Sequence, residues 1–154
     1  NRQHGVLTDV LDRAISATSA SASEIKIRRN PGTETIDLNT DLDRLVQVFI
    51  NLIANAQKYC DAEAPALSIR VERRDGIVTI DFVDNGQGIA TEAQDVIFEK
   101  FSRIGAHKAS GAGLGLAICR EVMTRLGGSI TYLPGQGGAA FRVELPLENA
   151  KIEA

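Results

Sequence analysis

Asn51, Asn55, Lys58 and Tyr59 follow one another at intervals of four, three and one, so on a helix they share one side. The residues around them are apolar: Leu45, Val46, Phe49, Ile50, Leu52 and Ile53 cover more than one stripe, as in a helix buried on most sides. Two amides and an ammonium on such a helix need partners, because each costs about 2 kcal/mol or more if buried unpaired. Two arrangements supply them. The side chains can cap neighbouring loops. Alternatively they form a metal and phosphate site, with Asn oxygen for Mg²⁺, Lys for phosphate and Tyr packed on a base.

Two glycine segments bear on that choice. Asp84-Asn85-Gly86-Gln87-Gly88-Ile89 directly follows the alternating run Val78-Thr79-Ile80-Asp81-Phe82-Val83, so a strand carries Asp84 to the edge of a sheet. Its glycines allow backbone to approach a ligand closely, although the same composition suits an ordinary surface turn. Gly111-Ala112-Gly113-Leu114-Gly115-Leu116 reads as a glycine loop opening a helix, where free N–H groups and the helix dipole favour an anion. It is not a dinucleotide fingerprint, because no strand immediately precedes it and the spacing differs. A Walker Gly-Lys-Ser/Thr sequence is absent.

The elements that must position these residues follow from periodicity. Leu7, Val10, Leu11, Ala14, Ile15 and Thr18 predict an amphipathic helix near 6–21. Ile25 and Ile27, a turn at Asn30-Pro31-Gly32, and Thr35 to Leu38 predict a hairpin. Thr40 with Asp43 resembles a capping box for the long apolar helix. Leu67 to Glu72, the turn Asp75-Gly76 and Ile77 to Val83 predict a second hairpin. A short helix is expected from Glu92 to Phe101 and a mobile loop over 102–113. Leu114, Ile118, Val122 and Leu126 predict a helix ended by Gly127-Gly128. Ser129 to Leu133 and Ala140 to Leu145 close the chain as a last hairpin. The expected fold class is α/β (α+β): a two-layer sandwich whose mixed, mostly antiparallel sheet carries helices on one face.

With 154 residues and 44% hydrophobic content, the chain suits a single domain over 1–154 with one substantial core. No apolar run reaches the roughly 20 residues needed to cross a bilayer, and Asn1-Arg2-Gln3-His4 lacks a secretory pattern. A cytoplasmic location without direct membrane contact is therefore expected. The net charge of -3 speaks against nucleic acid as a partner. Cys60 and Cys119 have no metal-ligand spacing and read as reduced thiols.

Taken in order, these motifs resemble the histidine-kinase branch of the ATPase superfamily that also contains DNA gyrase, MutL and the large heat-shock chaperones. Asn51-Leu52-Ile53-Ala54-Asn55-Ala56-Gln57-Lys58-Tyr59 is similar to the N box. Asp84 to Gly88 is similar to the first glycine box, Gly111 to Gly115 to the second, and Phe98-Glu99-Lys100-Phe101 to the F box. The resemblance implies a Bergerat-type fold that binds ATP and Mg²⁺, with residues 90–112 as an ATP lid anchored by Phe98 and Phe101. It implies that Asn55 binds Mg²⁺ and Asn51 supports the metal or its water. Lys58 contacts phosphate, and Tyr59 packs against adenine. Asp84 accepts the exocyclic amine, which favours ATP over GTP. Gly86, Gly88 and Ile89 line the base, while Gly111, Gly113, Leu114 and Gly115 bring amides to the phosphates. Arg103 is a candidate γ-phosphate contact, with a solvated surface arginine as the alternative.

Hydrolysing members of the superfamily generally carry Glu where this chain has Asn51, and an amide cannot act as a general base. The resemblance therefore implies transfer of the γ-phosphoryl group to an external histidine. Neither His4 nor His107 fits the acceptor pattern, so the implied acceptor lies on a separate dimerisation domain, with residues 1–4 as the remnant of a linker from it. A homodimeric parent and a cognate response regulator are implied partners. The competing expectations are a serine kinase of the anti-sigma-factor type and a non-catalytic interaction module of the same fold.

Overall fold

A computed structural model describes residues 2–18, 25–30, 33–94, 97–98 and 109–147. Strand β1 (Gln3–Val6) runs into helix α1 (Leu7–Thr18), followed by β2 (Lys26–Arg29) and β3 (Asp37–Thr40). Helix α2 (Leu42–Tyr59), the strands β4 (Ala66–Arg74) and β5 (Ile77–Asp84), and the single turn α3 (Thr91–Gln94) come next. Helix α4 (Ala109–Arg125), β6 (Ser129–Tyr132) and β7 (Ala140–Pro146) complete the order.

The main sheet has the order β2-β4-β5-β7-β6, and a separate ribbon joins β1 to β3. Alternation explains why helices cover only one face. Leu67, Ile69 and Val71 on β4, Val78, Ile80 and Phe82 on β5, and Phe141, Val143 and Leu145 on β7 are buried, as successive strand residues must point to opposite faces. The intervening residues form the polar face, where Arg142 holds Asp81 by two bonds of 2.9 Å. Leu45, Val48, Phe49, Leu52 and Ile53 of α2 fill the core, with the Phe49 and Phe82 rings 5.2 Å apart. The expected two-layer sandwich with a mixed, mostly antiparallel sheet is the observed fold.

The β4–β5 hairpin turns through Asp75 and Gly76, both at positive φ (54° and 78°), as a two-residue turn between right-twisted strands demands. Helix α4 ends as its glycines predict: Gly127 has φ 84°, and Gly128 N donates to Met123 O at 2.9 Å, closing a Schellman-type end.

Four expectations are corrected. The hairpin expected between Ile25 and Leu38 does not form: β2 pairs in parallel with β4, and β3 pairs antiparallel with β1. The connection instead folds inward around Glu34, which is wholly buried and accepts from Arg29 Nε at 3.2 Å and Nη2 at 2.5 Å. Arg29 Nη1 also reaches Asp12 on α1, and these carboxylates raise the guanidinium pKa further. The polar start is a strand within a ribbon, and Gln3 Oε1 accepts from Leu42 N at 3.1 Å. The cap of α2 is Asp41, accepting from Arg44 N at 3.2 Å, one residue beyond Thr40. Thr40 is itself part of β3.

The fourth correction concerns α4. It begins at Ala109, so the second glycine segment is helical backbone instead of a loop preceding a helix at 114. Its buried face runs through Leu116, Cys119, Val122 and Met123, while Ile118 is 41% exposed; a spacing of four drifts off a 3.6-residue stripe. Of the short helix expected at Glu92 to Phe101, the described residues show the single turn Thr91–Gln94, and 95–96 and 99–101 lie outside them. Phe101, Arg103 and His107 lie outside the described residues.

Candidate functional site

Asp84 is the last residue of β5 and is 9% exposed. Its Oδ1 accepts from Gly86 N at 2.8 Å and from Ala139 N at 3.0 Å. Among the described residues Oδ2 has no hydrogen-bond partner. A nearly buried carboxylate held at one oxygen and open at the other is built to accept from something outside the fold. Backbone closes around it without space for side chains. A Cβ at Gly138 would stand 2.1 Å from Asp84 O and 2.6 Å from Oδ1. A Cβ at Gly86 would meet Asp61 Oδ1 at 2.8 Å.

The segment after Asp84 is pinned on both sides. Asn85 Oδ1 accepts from Ala66 N at 2.9 Å and from the Cys60 thiol at 3.2 Å, and Asn85 Nδ2 donates to Ala64 O at 2.9 Å. Gln87 N donates to Asp61 Oδ1 at 3.1 Å. Gly88 has φ 84°, the left-handed region that favours glycine, and Ile89 N donates to the Tyr132 hydroxyl at 3.1 Å.

Cys60 and Asp61 follow α2 directly, so these bonds place the Asp84 segment at the C-terminal end of that helix. About midway along the helix, Asn51 faces α4: a Cβ on Gly115 would lie 3.6 Å from Asn51 Oδ1. Asn51 also shares a hydrogen bond with the Cys119 thiol, whose pKa burial pushes up to about 12 against the opposing effect of that bond. Asn51, Asn55 and Tyr59 recur every four residues, about 12 Å along α2, between the two glycine segments. Asn51, Asn55 and Tyr59 are half-buried and Lys58 is exposed, with Lys58 Nζ 5.5 Å from the Tyr59 ring centre. The spacing in the sequence thus becomes a polar strip on a core helix, bounded by Asp84 at one end and Gly115 at the other.

Gly111 and Gly113 lie in the first turns of α4, as does the Leu114 backbone. The amides of Gly113 and Gly115 belong to the helical ladder, since only the first four N–H groups of a helix lack partners within it. Arg103 lies outside the described residues. Four residues that sequence reasoning passed over also shape the site. Asp61 holds Gln87, Gly138 and Ala139 wall in Asp84, and Tyr132 supports Ile89. A Gly-Gly pair at 137–138 was the one visible signal, and it reads first as turn chemistry.

Comparison with known proteins places this arrangement. The profile of the family described as "Histidine kinase-, DNA gyrase B-, and HSP90-like ATPase" matches residues 40–149. The chain is 31% identical over 147 residues to the sensor protein KdpD of Clostridium acetobutylicum, covering 93% of this chain and 16% of that protein. It is 34% identical over 144 residues to the sensor protein kinase WalK of Staphylococcus saprophyticus, covering 90% and 23%. The solved catalytic domain of histidine kinase ThkA superposes with a TM-score of 0.81 at 25% identity, over 96% of each chain. Full-length ShkA in complex with AMPPNP gives 0.75 at 27% identity, over 96% of this chain and 31% of that one. The chain thus spans about a sixth to a quarter of the length of these two curated relatives.

Proposed function

Since the chain belongs to the histidine kinase-, DNA gyrase B- and HSP90-like ATPase family, we propose that it is the ATP-binding catalytic domain of a sensor histidine kinase, passing the γ-phosphoryl group of ATP to a histidine on a separate dimerisation domain. The observation that carries the nucleotide part is the Asp84 carboxylate, with Oδ1 held by two backbone amides and Oδ2 facing no partner among the described residues. An acceptor fixed there takes the exocyclic amine of adenine and rejects the carbonyl that guanine presents.

The other roles follow along α2. Tyr59 packs on the base, Lys58 reaches phosphate, and the Asn55 amide, which has no hydrogen-bond partner among the described residues, holds Mg²⁺ with Asn51 in support. Bound Mg²⁺ supplies neutralisation of phosphate charge. Gly86, Gly88 and Ile89 keep backbone beside the base, and Gly111, Gly113, Leu114 and Gly115 form the phosphate end. Arg103 is proposed at the γ-phosphate on the sequence resemblance alone. Asn51 cannot remove a proton from water, so the site holds ATP for an incoming nucleophile and acts by positioning and charge stabilisation. The proposed parent is a cytoplasmic-facing homodimer that hands the phosphoryl group to a response regulator.

Calorimetry with Mg-ATP tests the binding claim. Wild-type chain should bind, and Asp84→Ala and Asn55→Ala should each lose at least about tenfold in affinity. Undiminished binding by both variants would sink the assignment. Incubation with a histidine-bearing helical domain and labelled ATP should give acid-labile, base-stable phosphate. Acid-stable phosphoserine on a protein partner would favour a serine kinase instead.

A further inference from the structure

Tyr132 touches the proposed nucleotide seat from outside every motif that resembles the family. Its hydroxyl accepts the Ile89 amide at 3.1 Å and lies 3.3 Å from where a Cβ on Gly88 would stand. Its ring meets Phe141 edge-on, with centres 5.5 Å apart. Phe141 in turn meets Phe98 edge-on at 6.0 Å, and the Arg120 guanidinium lies over Phe98 at 5.7 Å. Edge-on ring pairs and a guanidinium over a ring face are both attractive through the ring quadrupole. They form an unbroken row from the backbone after Asp84, across β6 and β7, to helix α4, which carries Gly115 beside Asn51.

We propose that Tyr132 is a positioning residue for the nucleotide seat: it holds the Gly88–Ile89 backbone by one hydrogen bond and couples that backbone, through Phe141 and Phe98, to α4. The inference rests on the nucleotide-binding reading above. Hydroxyl and ring act separately. Removing the oxygen leaves the half-buried Ile89 amide unsatisfied while the ring still packs on Phe141. Shortening Phe98 loosens the far end of the row and leaves the hydroxyl in place.

The test uses Tyr132→Phe, Phe98→Leu and the double variant of the chain, with hydrogen exchange of the Ile89 amide and calorimetry with Mg-ADP. Tyr132→Phe should keep a cooperative thermal transition, weaken Mg-ADP binding by about tenfold and speed Ile89 exchange by a similar factor. Phe98→Leu should speed Ile89 exchange by more than about threefold when Tyr132 is present and by less than that in the Tyr132→Phe background, because coupled residues are non-additive. Unchanged affinity and exchange in Tyr132→Phe would overturn the positioning role. An equal effect of Phe98→Leu in both backgrounds would overturn the coupling. Should Tyr132→Phe not fold, Ile89 exchange in Phe98→Leu is compared with wild type: faster exchange supports the coupling and unchanged exchange overturns it. A wild-type chain that fails to bind Mg-ADP overturns the functional reading and this inference together, whereas wild-type binding with an unaffected Tyr132→Phe overturns the inference alone.

Discussion

At the scale of the residue, Asp84 works because its two oxygens have different duties. Oδ1 organises Gly86 and Ala139, and Oδ2, without a partner among the described residues, is the oxygen proposed to meet the base. Asp84→Asn separates these duties without changing size: the amide oxygen can keep the backbone bonds, but the nitrogen then presents a donor to the adenine amine. The variant should fold like wild type, with a thermal midpoint within a few degrees (about 3 °C), yet bind Mg-ATP at least about tenfold more weakly by calorimetry. Wild-type affinity would remove Asp84 from base recognition. Asn51 and Asn55 stood out in the sequence because a polar residue on an apolar background is a conflict that demands a reason, and Asp84 because it ends an alternating strand and precedes two glycines. Asp61, Tyr132 and Gly138 were not. Each is unexceptional among its sequence neighbours and gains its role from a contact with a distant segment, as Tyr132 does with Ile89.

At the scale of the element, the turn between β6 and β7 contains glycines needed for different reasons. Gly135 has φ 80° and open space around it, whereas Gly138 is pressed against Asp84. Gly135→Ala should therefore cost only the strain of a left-handed backbone, about 1 kcal/mol in urea denaturation. Gly138→Ala should cost about 2 kcal/mol or more through overpacking and also weaken nucleotide binding. Equal losses from the two would mean that the wall behind Asp84 yields easily. Local pattern made the β4–β5 and β6–β7 hairpins legible, since period-two alternation and turn residues lie side by side in sequence. It misassigned β2 and β3 because their partners are far away: β2 lies against β4, and β3 against β1. The helical start of α4 was equally hidden, because three glycines in five residues argue for a loop by propensity alone.

At the scale of the whole molecule, the two thiols report on different events. Cys60 is half-buried beside Asn85, while Cys119 is fully buried between α4 and α2. An alkylating reagent at pH 8 should label Cys60 in the folded chain and Cys119 only as the chain unfolds, as read by mass spectrometry. Equal labelling rates would refute the packing of α4. Burial raises the Cys119 pKa from an ordinary 9.0 to about 12, so the folded state holds that proton more tightly than the unfolded chain. This contribution to stability is complete below pH 9 and is lost as pH climbs from 9 towards 12. Cys119→Ala should fall less steeply with pH over that window in urea denaturation. The parallel contact of β2 with β4 has a consequence for how the molecule assembles. The β4–β5 and β6–β7 hairpins close short loops, whereas Lys26 meets Ala66 only after α2 has crossed between them. Loop closure thus favours a sequence of events in which the central strands and α2 come together early and β2 seals the edge late. The α1 end, tied to β2 through Arg29 and Asp12, is then the last part of the domain to dock and the first to loosen.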